Sequence, residues 1–276
     1  MLKTEMRNEK SMNIDKMTTK EMVRVIQNEN LNAVKALESE LGAITKAIDE
    51  ISKRMERGGR LFYTGCGTSG RLGVLDAAEC PPTYGVSQDT VIGIIAGGDS
   101  TLRKAAENAE DSYENGYNDI NEYNLTENDS VIGISVAGGA AYVLGALECA
   151  KEAKALAIAL SCNDGCPIEE KADICIHPDT GAEVITGSTR MKAGTAHKMI
   201  LNMISTAVMI KQGYVYENLM INLKPSNIKL RDRIIRIVSD ITGLSHEQSE
   251  DLLKNNEFDI RKSIDAFENM TQNVHQ

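Results

Sequence analysis

Short, nearly continuous apolar runs alternate with amphipathic stretches through the middle of the chain. The runs are RLFYT (60–64), VIGII (91–95), SVIGIS (130–135), ALAIAL (155–160) and DICIH (173–177). Each has the length of a strand, and apolarity without alternation fits strands covered on both faces. Helix-like segments fall between them, near 71–79, 101–116, 140–153 and 165–171. Strand-then-helix repetition predicts an α/β fold with a doubly wound, five-stranded parallel sheet and right-handed crossovers. Ligands of such a sheet sit beyond the carboxyl ends of its strands.

The flanks read differently. Thr18, followed three residues later by Glu21, is a capping-box start, and Met22, Val25 and Ile26 then share a face. A second helix is predicted from about Asn30 to Arg57. Its apolar positions are Val34, Leu37, Leu41, Ile44, Ile48, Ile51 and Met55, and Gly58-Gly59 ends it. Residues 193–213 are rich in Ala, Met and Ile, but His197, Lys198, Asn202 and Lys211 interrupt them, so a buried helix is expected rather than a membrane span. From Lys229 the pattern predicts three short helices, 229–241, 246–254 and 259–269, with Ser245 and Asp259 as caps. The expected organisation is an N-terminal helical segment (1–57) packed on the core, an α/β domain (58–222) and a C-terminal three-helix subdomain (223–276).

Composition narrows the partners. The chain has 276 residues, 42% of them apolar, enough for a sizeable core. Its net charge of −10 argues against nucleic acid or an anionic membrane as the main partner. An anionic small molecule responds to the local field and stays open. The first residues are charged and polar, unlike a signal peptide, and the expected location is cytoplasmic. Cys66, Cys149 and Cys175 read as small apolar fillers. Cys162 and Cys166 lack the partners of a zinc set, so reduced thiols are expected.

Candidate chemistry begins after the first run. RLFYTGCGTSGRLG places Gly65, Gly67 and Gly70 between a strand and a helix. Such glycines allow a sharp turn and close backbone approach, and the following helix offers free N–H groups. Thr68 and Ser69 add hydroxyls, and Arg71 adds a fork suited to phosphate. No acidic residue ends the second strand where a ribose would be held, so a phosphate or sugar site is expected rather than NAD. Two prolines, Pro81 and Pro82, are expected to stop the helix just beyond Glu79. Glu79 has few obvious partners, and an apolar setting would suit it to proton transfer. Further on, GSTRMKAGTAHK (187–198) gathers Ser188, Thr189, Arg190 and Lys192 before an apolar helix, a second anion-binding candidate.

GCGTSGRLGVLDAAECPPTYG (65–85) closely resembles the signature of the N-acetylmuramic acid 6-phosphate etherases. These belong to the sugar isomerase (SIS) fold group, of which the glucokinase regulatory protein is a related branch. The resemblance continues in IAGG (95–98), AEDS (109–112) and GAEVITGSTRMKAGTAHKMILNMISTAVMIKQGYVYENLM (181–220). It also takes in the N-terminal Thr4-Glu5 and the last three helices, which are similar to a ubiquitin-associated module. The resemblance implies a lyase that releases D-lactate from the sugar by elimination and hydration, with neither metal nor cofactor. Proton transfer would fall to Glu79, as the acid for the leaving lactate, and to Glu110, as the base at C2. It implies a homodimer in N-acetylmuramate catabolism and peptidoglycan recycling. The alternative is a sugar-phosphate-binding regulator or an inactive paralogue. An aldose–ketose isomerase of the same fold fits the Glu-Cys-Pro-Pro block poorly.

One loop departs from the family. After the third strand the family shows Ser-Gly-Arg-Thr-Pro, whereas this chain has Ala137, Gly138, Gly139, Ala140 and Ala141. Three side-chain phosphate partners are missing. Ser135, Gly138 and backbone N–H groups are the expected substitutes, alongside Gly67, Thr68, Ser69, Arg71, Ser188, Thr189, Arg190 and Lys192.

Overall fold

A computed structural model describes residues 2–104, 106, 108–223, 225 and 228–274. All five apolar runs are strands: β1 (Leu61–Gly65), β2 (Val91–Ile95), β3 (Ser130–Ile134), β4 (Leu156–Leu160) and β5 (Ile174–Ile176). They form one parallel sheet in the order β2-β1-β3-β4-β5. Every residue of β1, β3 and β4 is buried, as their unbroken apolarity requires. The chain leaves β1 for β2 on one side and returns to pair β3 on the other, so the winding reverses at β1. Gly65 lies level with both Ile95 and Ile134, and the three loops that follow these strands therefore emerge along one edge.

Helices cover the sheet: α1 (Thr19–Lys35), α2 (Leu41–Met55), α3 (Gly67–Tyr84), α4 (Tyr113–Asn121), α5 (Ala141–Glu152) and α6 (Lys192–Lys211). The Thr18–Glu21 capping box forms as expected. The single helix expected over 30–57 is instead the end of α1, a 3-10 turn at Glu38–Glu40, and α2. The break has a polar cause: Glu40 is buried and its carboxylate accepts the backbone N–H of His177 at 2.9 Å, just past β5. The helix expected over 101–116 is likewise absent. Asp99–Leu102 and Ala109–Asp111 are 3-10 turns, Asn108 takes a left-handed φ of 61° that interrupts any helix, and Ser112 caps α4 afresh. Positions 105 and 107 of that segment lie outside the described residues. Residues 167–171 form a 3-10 turn.

Pro81 and Pro82 do not stop α3, which runs on to Tyr84. A proline φ already matches a helix, and the Gly85 N–H closes the final turn on Pro81 O at 2.9 Å. What the prolines remove is N–H donation to the preceding turn.

Helix α3 lies unusually close to the sheet because side chains are missing at the contact. A Cβ on Gly70 would stand 2.4 Å from Gly65 O and 2.6 Å from Ile95 Cγ1, and one on Gly93 would stand 2.5 Å from Val74 Cα. Gly73 faces Tyr63 Cβ in the same way, at 2.8 Å.

Two compact units are distinguishable, Met1–Ala78 with Gln88–Val208, and Glu79–Ser87 with Met209–Gln276. The first holds the sheet. The second holds a hairpin of β6 (Val215–Tyr216) and β7 (Leu219–Met220), then α7 (Ile228–Thr242), α8 (His246–Asn255) and α9 (Ile260–Val274). The three expected C-terminal helices are thus present, with Ser245 closing a capping box on Gln248. Ile234, Val238, Leu253, Ile260 and Ile264 form their core. Within this unit Asn222 Nδ2 donates to Tyr84 O at 2.8 Å, which ties the 79–87 segment to the chain beyond β7.

Two glycine substitutions should therefore part company in urea unfolding. Gly70→Ala meets backbone and is expected to destabilise by about 2 kcal/mol or more. Gly42→Ala, in α2 with nothing within 4 Å, is expected to stabilise by about 0.5 kcal/mol.

Candidate active site

The loops after β1 and β2 border a cleft of about 370 Å³ lined by Cys66, Gly67, Arg71, Ala96, Thr101 and Glu110. Glu110 thus stands beside the glycine loop, carried by the 3-10 turn Ala109–Asp111 and exposed to solvent. Sequence places it on an amphipathic helix; the structure places it on a turn at the mouth of a cleft. Burial, with Glu110 and Asp111 nearby, pushes the Cys66 thiol up to about 12, so it stays protonated and is no nucleophile. Gly67 opens α3 with a left-handed φ of 54°. Ser69 is buried and Thr68 half-buried, and Thr68 Cγ2 lies 3.5 Å from where a Gly194 Cβ would be. The glycine loop therefore meets the start of α6.

Arg71 is not a free fork. Its Nε donates to Leu102 O at 2.9 Å and a terminal nitrogen donates to Thr101 O. Glu79 is exposed on the second-to-last turn of α3, within the second unit, and is followed by the buried Cys80.

In the 135–141 loop, Gly138 is fixed by the protein itself. Its N–H goes to Ser135 O at 3.0 Å and to Ser135 Oγ at 3.2 Å, and its left-handed backbone leaves no room for a side chain against Cys166 Sγ. Ser135 and Gly138 brace the turn. Helix α5 begins just beyond with no side-chain cap from Ala140, so its first-turn N–H groups have no side-chain acceptor there.

The cluster before α6 also differs from expectation. Ser188 and Thr189 are half-buried and Arg190 is exposed. Lys192, expected to help bind the substrate's anion, is instead buried and ion-paired to Glu29 at 2.5 Å. The anion at the start of α6 is the chain's own: Glu183 accepts the N–H groups of Lys192 at 3.3 Å and Ala193 at 3.0 Å. Burial raises the pKa of Glu183. Burial would also raise Glu29, but hydrogen bonds from Lys192, Lys10 and Asn8 outweigh it and hold Glu29 at about 2. Asn8 and Ser11 bond Ala182 O and Val184 O, so the N-terminal segment straps this loop in place. Glu29 and Glu183 were not singled out from sequence. Glu183 sits in the long 181–220 block, which is the one signal that pointed near it.

His197 is fully buried, with Nε2 2.9 Å from Ser161 O, and burial lowers its pKa to about 4. It is a neutral helix residue. All six cysteines are free thiols. Among the described residues, Asp164, Glu169 and His177 bring one possible metal ligand each within 4.8 Å of one another, and Glu169 already holds His177 Nδ1 at 2.9 Å. No described helix is long and apolar enough to cross a membrane.

Solved structures share the fold of this five-stranded parallel sheet with its flanking helices. A phosphoheptose isomerase from Francisella tularensis superposes with a TM-score of 0.53 at 17% identity, over 70% of this chain and all of that one. Residues 43–151 match the N-terminal SIS domain of glucokinase regulatory protein. The fold is thus that of a SIS-type α/β domain. N-acetylmuramic acid 6-phosphate etherase of Clostridium beijerinckii is 50% identical, over 95% of this chain and 86% of that protein. The protein of the same name from Caldanaerobacter subterraneus is 52% identical, over 95% and 85%. This chain belongs to the N-acetylmuramic acid 6-phosphate etherase family.

Removing Glu29 leaves Lys192 buried without its counter-charge. Glu29→Gln should cost about 3 kcal/mol or more in urea unfolding at pH 7. The sign of the pH dependence follows from the lowered pKa. The Glu29 contribution is complete above its ordinary value of 4.5 and is lost as pH falls toward about 2. The gap between the native protein and Glu29→Gln should narrow over that window.

Proposed function

We propose that this protein is a carbon–oxygen lyase that cleaves the D-lactyl ether of N-acetylmuramic acid 6-phosphate, giving N-acetylglucosamine 6-phosphate and D-lactate. The observation that carries this reading is half-identity to proteins of that name along nearly the whole chain, with the glutamate of AEDS facing a cleft beside the glycine loop. In the ring-opened sugar a base takes the C2 proton, which the adjacent aldehyde acidifies. The electron pair forms the C2–C3 double bond as the C3–O bond breaks. Lactate leaves with a proton from an acid, and water then adds its oxygen to C3 and a proton to C2. Two positioned carboxyls suffice for these transfers. Glu110 is the base and Glu79 the acid in this scheme, and no metal or cofactor takes part.

Gly67, Thr68 and Ser69 line the sugar's approach. With Lys192 and Arg71 committed inside the protein, the phosphate falls to Ser188, Thr189, the exposed Arg190 and the free N–H groups opening α5. Two chains associate as a homodimer, and the protein works in the cytoplasm on amino sugars recovered from peptidoglycan. The regulator reading draws on the 137–141 loop, but relatives matching nearly all of the chain carry the enzyme's name.

A coupled assay for D-lactate should detect release from N-acetylmuramic acid 6-phosphate; none at high enzyme concentration contradicts the reading. Glu79→Gln and Glu110→Gln should each lower kcat by about 10²-fold or more with unfolding unchanged, and a native rate in either removes that residue from the scheme. The loop makes a separate prediction. A Cβ at Gly139 meets nothing within 4 Å, so the backbone there does not bar a side chain. Ala137→Ser, Gly139→Arg, Ala140→Thr combined should lower KM by about tenfold or more, from the charged hydrogen bonds regained.

A further inference from the structure

Arg71 belongs to a motif that suggests phosphate binding, yet its guanidinium is spent on backbone. The 3-10 turn Asp99–Leu102 ends at Arg103, whose N–H closes on Ser100 O and not on the carbonyls of Thr101 or Leu102. Arg71 takes both, Leu102 O through Nε at 2.9 Å and Thr101 O through a terminal nitrogen. Two neighbouring carbonyls suit a planar fork and not a point charge. Thr101 is itself buried and pinned from the other side, its Oγ1 donating to Gly98 O at 2.8 Å and Ala96 O at 3.1 Å. The space where a Gly97 side chain would be is filled by Thr101 Cγ2, 2.8 Å from that Cβ position, and by Ala109 Cβ at 3.7 Å. Ala109 directly precedes Glu110. Arg71 therefore holds Thr101, and Thr101 and Ala109 both pack over Gly97 and line, with Arg71 and Glu110, the same cleft.

We propose that Arg71 is a positioning residue, a brace that sets the Glu110 turn against the cleft, and not a ligand of the substrate's phosphate. This rests on the lyase reading for its kinetic consequence. The brace explains why the motif has arginine one turn into α3: from there the fork spans the gap between the β1 and β2 loops. It also assigns Gly97 a purpose, since its backbone is left-handed and a Cβ there would clash with Thr101 Cγ2, the residue that Arg71 holds.

Arg71→Met and Arg71→Lys test it, the lysine variant keeping the charge if the methionine variant folds poorly. Three quantities are read on each full-length variant: D-lactate release kinetics, calorimetric affinity for N-acetylglucosamine 6-phosphate, and amide hydrogen exchange. The brace predicts faster exchange within 96–112 but not in β3–β5. It predicts kcat lower by about 10²-fold, the cost of misplacing a reacting group, with KM and product affinity within about threefold. Lysine should recover only part of kcat. Product affinity lost with exchange unchanged would make Arg71 a ligand and overturn the proposal, as would loosened exchange with native kcat. Should the unaltered protein release no lactate, the lyase reading falls, while exchange and product affinity still decide between brace and ligand.

Discussion

The close seating of α3 on β1 and β2 is the constraint on which the rest of the first unit depends. It exists because Gly65, Gly70, Gly73 and Gly93 carry no side chains where helix and sheet touch. Seated there, α3 opens at the carboxyl end of β1, and its first turn lies between the loops that follow β1 and β2. Arg71 reaches the turn after β2 only from that position. Glu110 in turn borders a cleft that Cys66 and Gly67 of the glycine loop also line. A glycine-rich motif is commonly explained by ligand approach. Here much of it is explained by helix–sheet approach, with Gly67 alone in the loop keeping a left-handed backbone.

A second theme is that the chain satisfies its own charges before it offers any to a substrate. Lys192 neutralises Glu29, Glu183 occupies the amide end of α6, Arg71 serves two carbonyls, and Ser135 holds Gly138. Buried charges are costly unless paired, and each of these is paired or hydrogen-bonded. Glu110 on its turn, Glu79 near the end of α3 and Arg190 are exposed, and α5 begins without a side-chain cap. That division suits a reaction whose work is proton transfer on a bound sugar.

The five strands are legible in the sequence because burial on both faces leaves a plain mark, uninterrupted apolarity. The C-terminal helices are legible through their caps and their period. The helix expected over 101–116 fails because its amphipathic pattern says nothing of the left-handed Asn108 or of Ser112 starting α4. The break between α1 and α2 is hidden for a similar reason: the Glu40–His177 bond joins positions 137 residues apart. At the site, residue types are legible and their allegiances are not. Nothing local distinguishes a lysine that will meet a phosphate from one that will meet Glu29. The family resemblance supplied Glu110, which composition and period alone leave among several surface carboxylates.

The central claim is that the ether opens by elimination across C2 and C3, followed by hydration. Its most direct test is turnover in ¹⁸O-labelled heavy water, with both products read by mass spectrometry and NMR. The account predicts one ¹⁸O at C3 of N-acetylglucosamine 6-phosphate, deuterium at C2, and lactate that keeps its original ether oxygen. Label in the lactate hydroxyl, with C2 still carrying its first hydrogen, would show that the bond breaks on the lactate side and would contradict it.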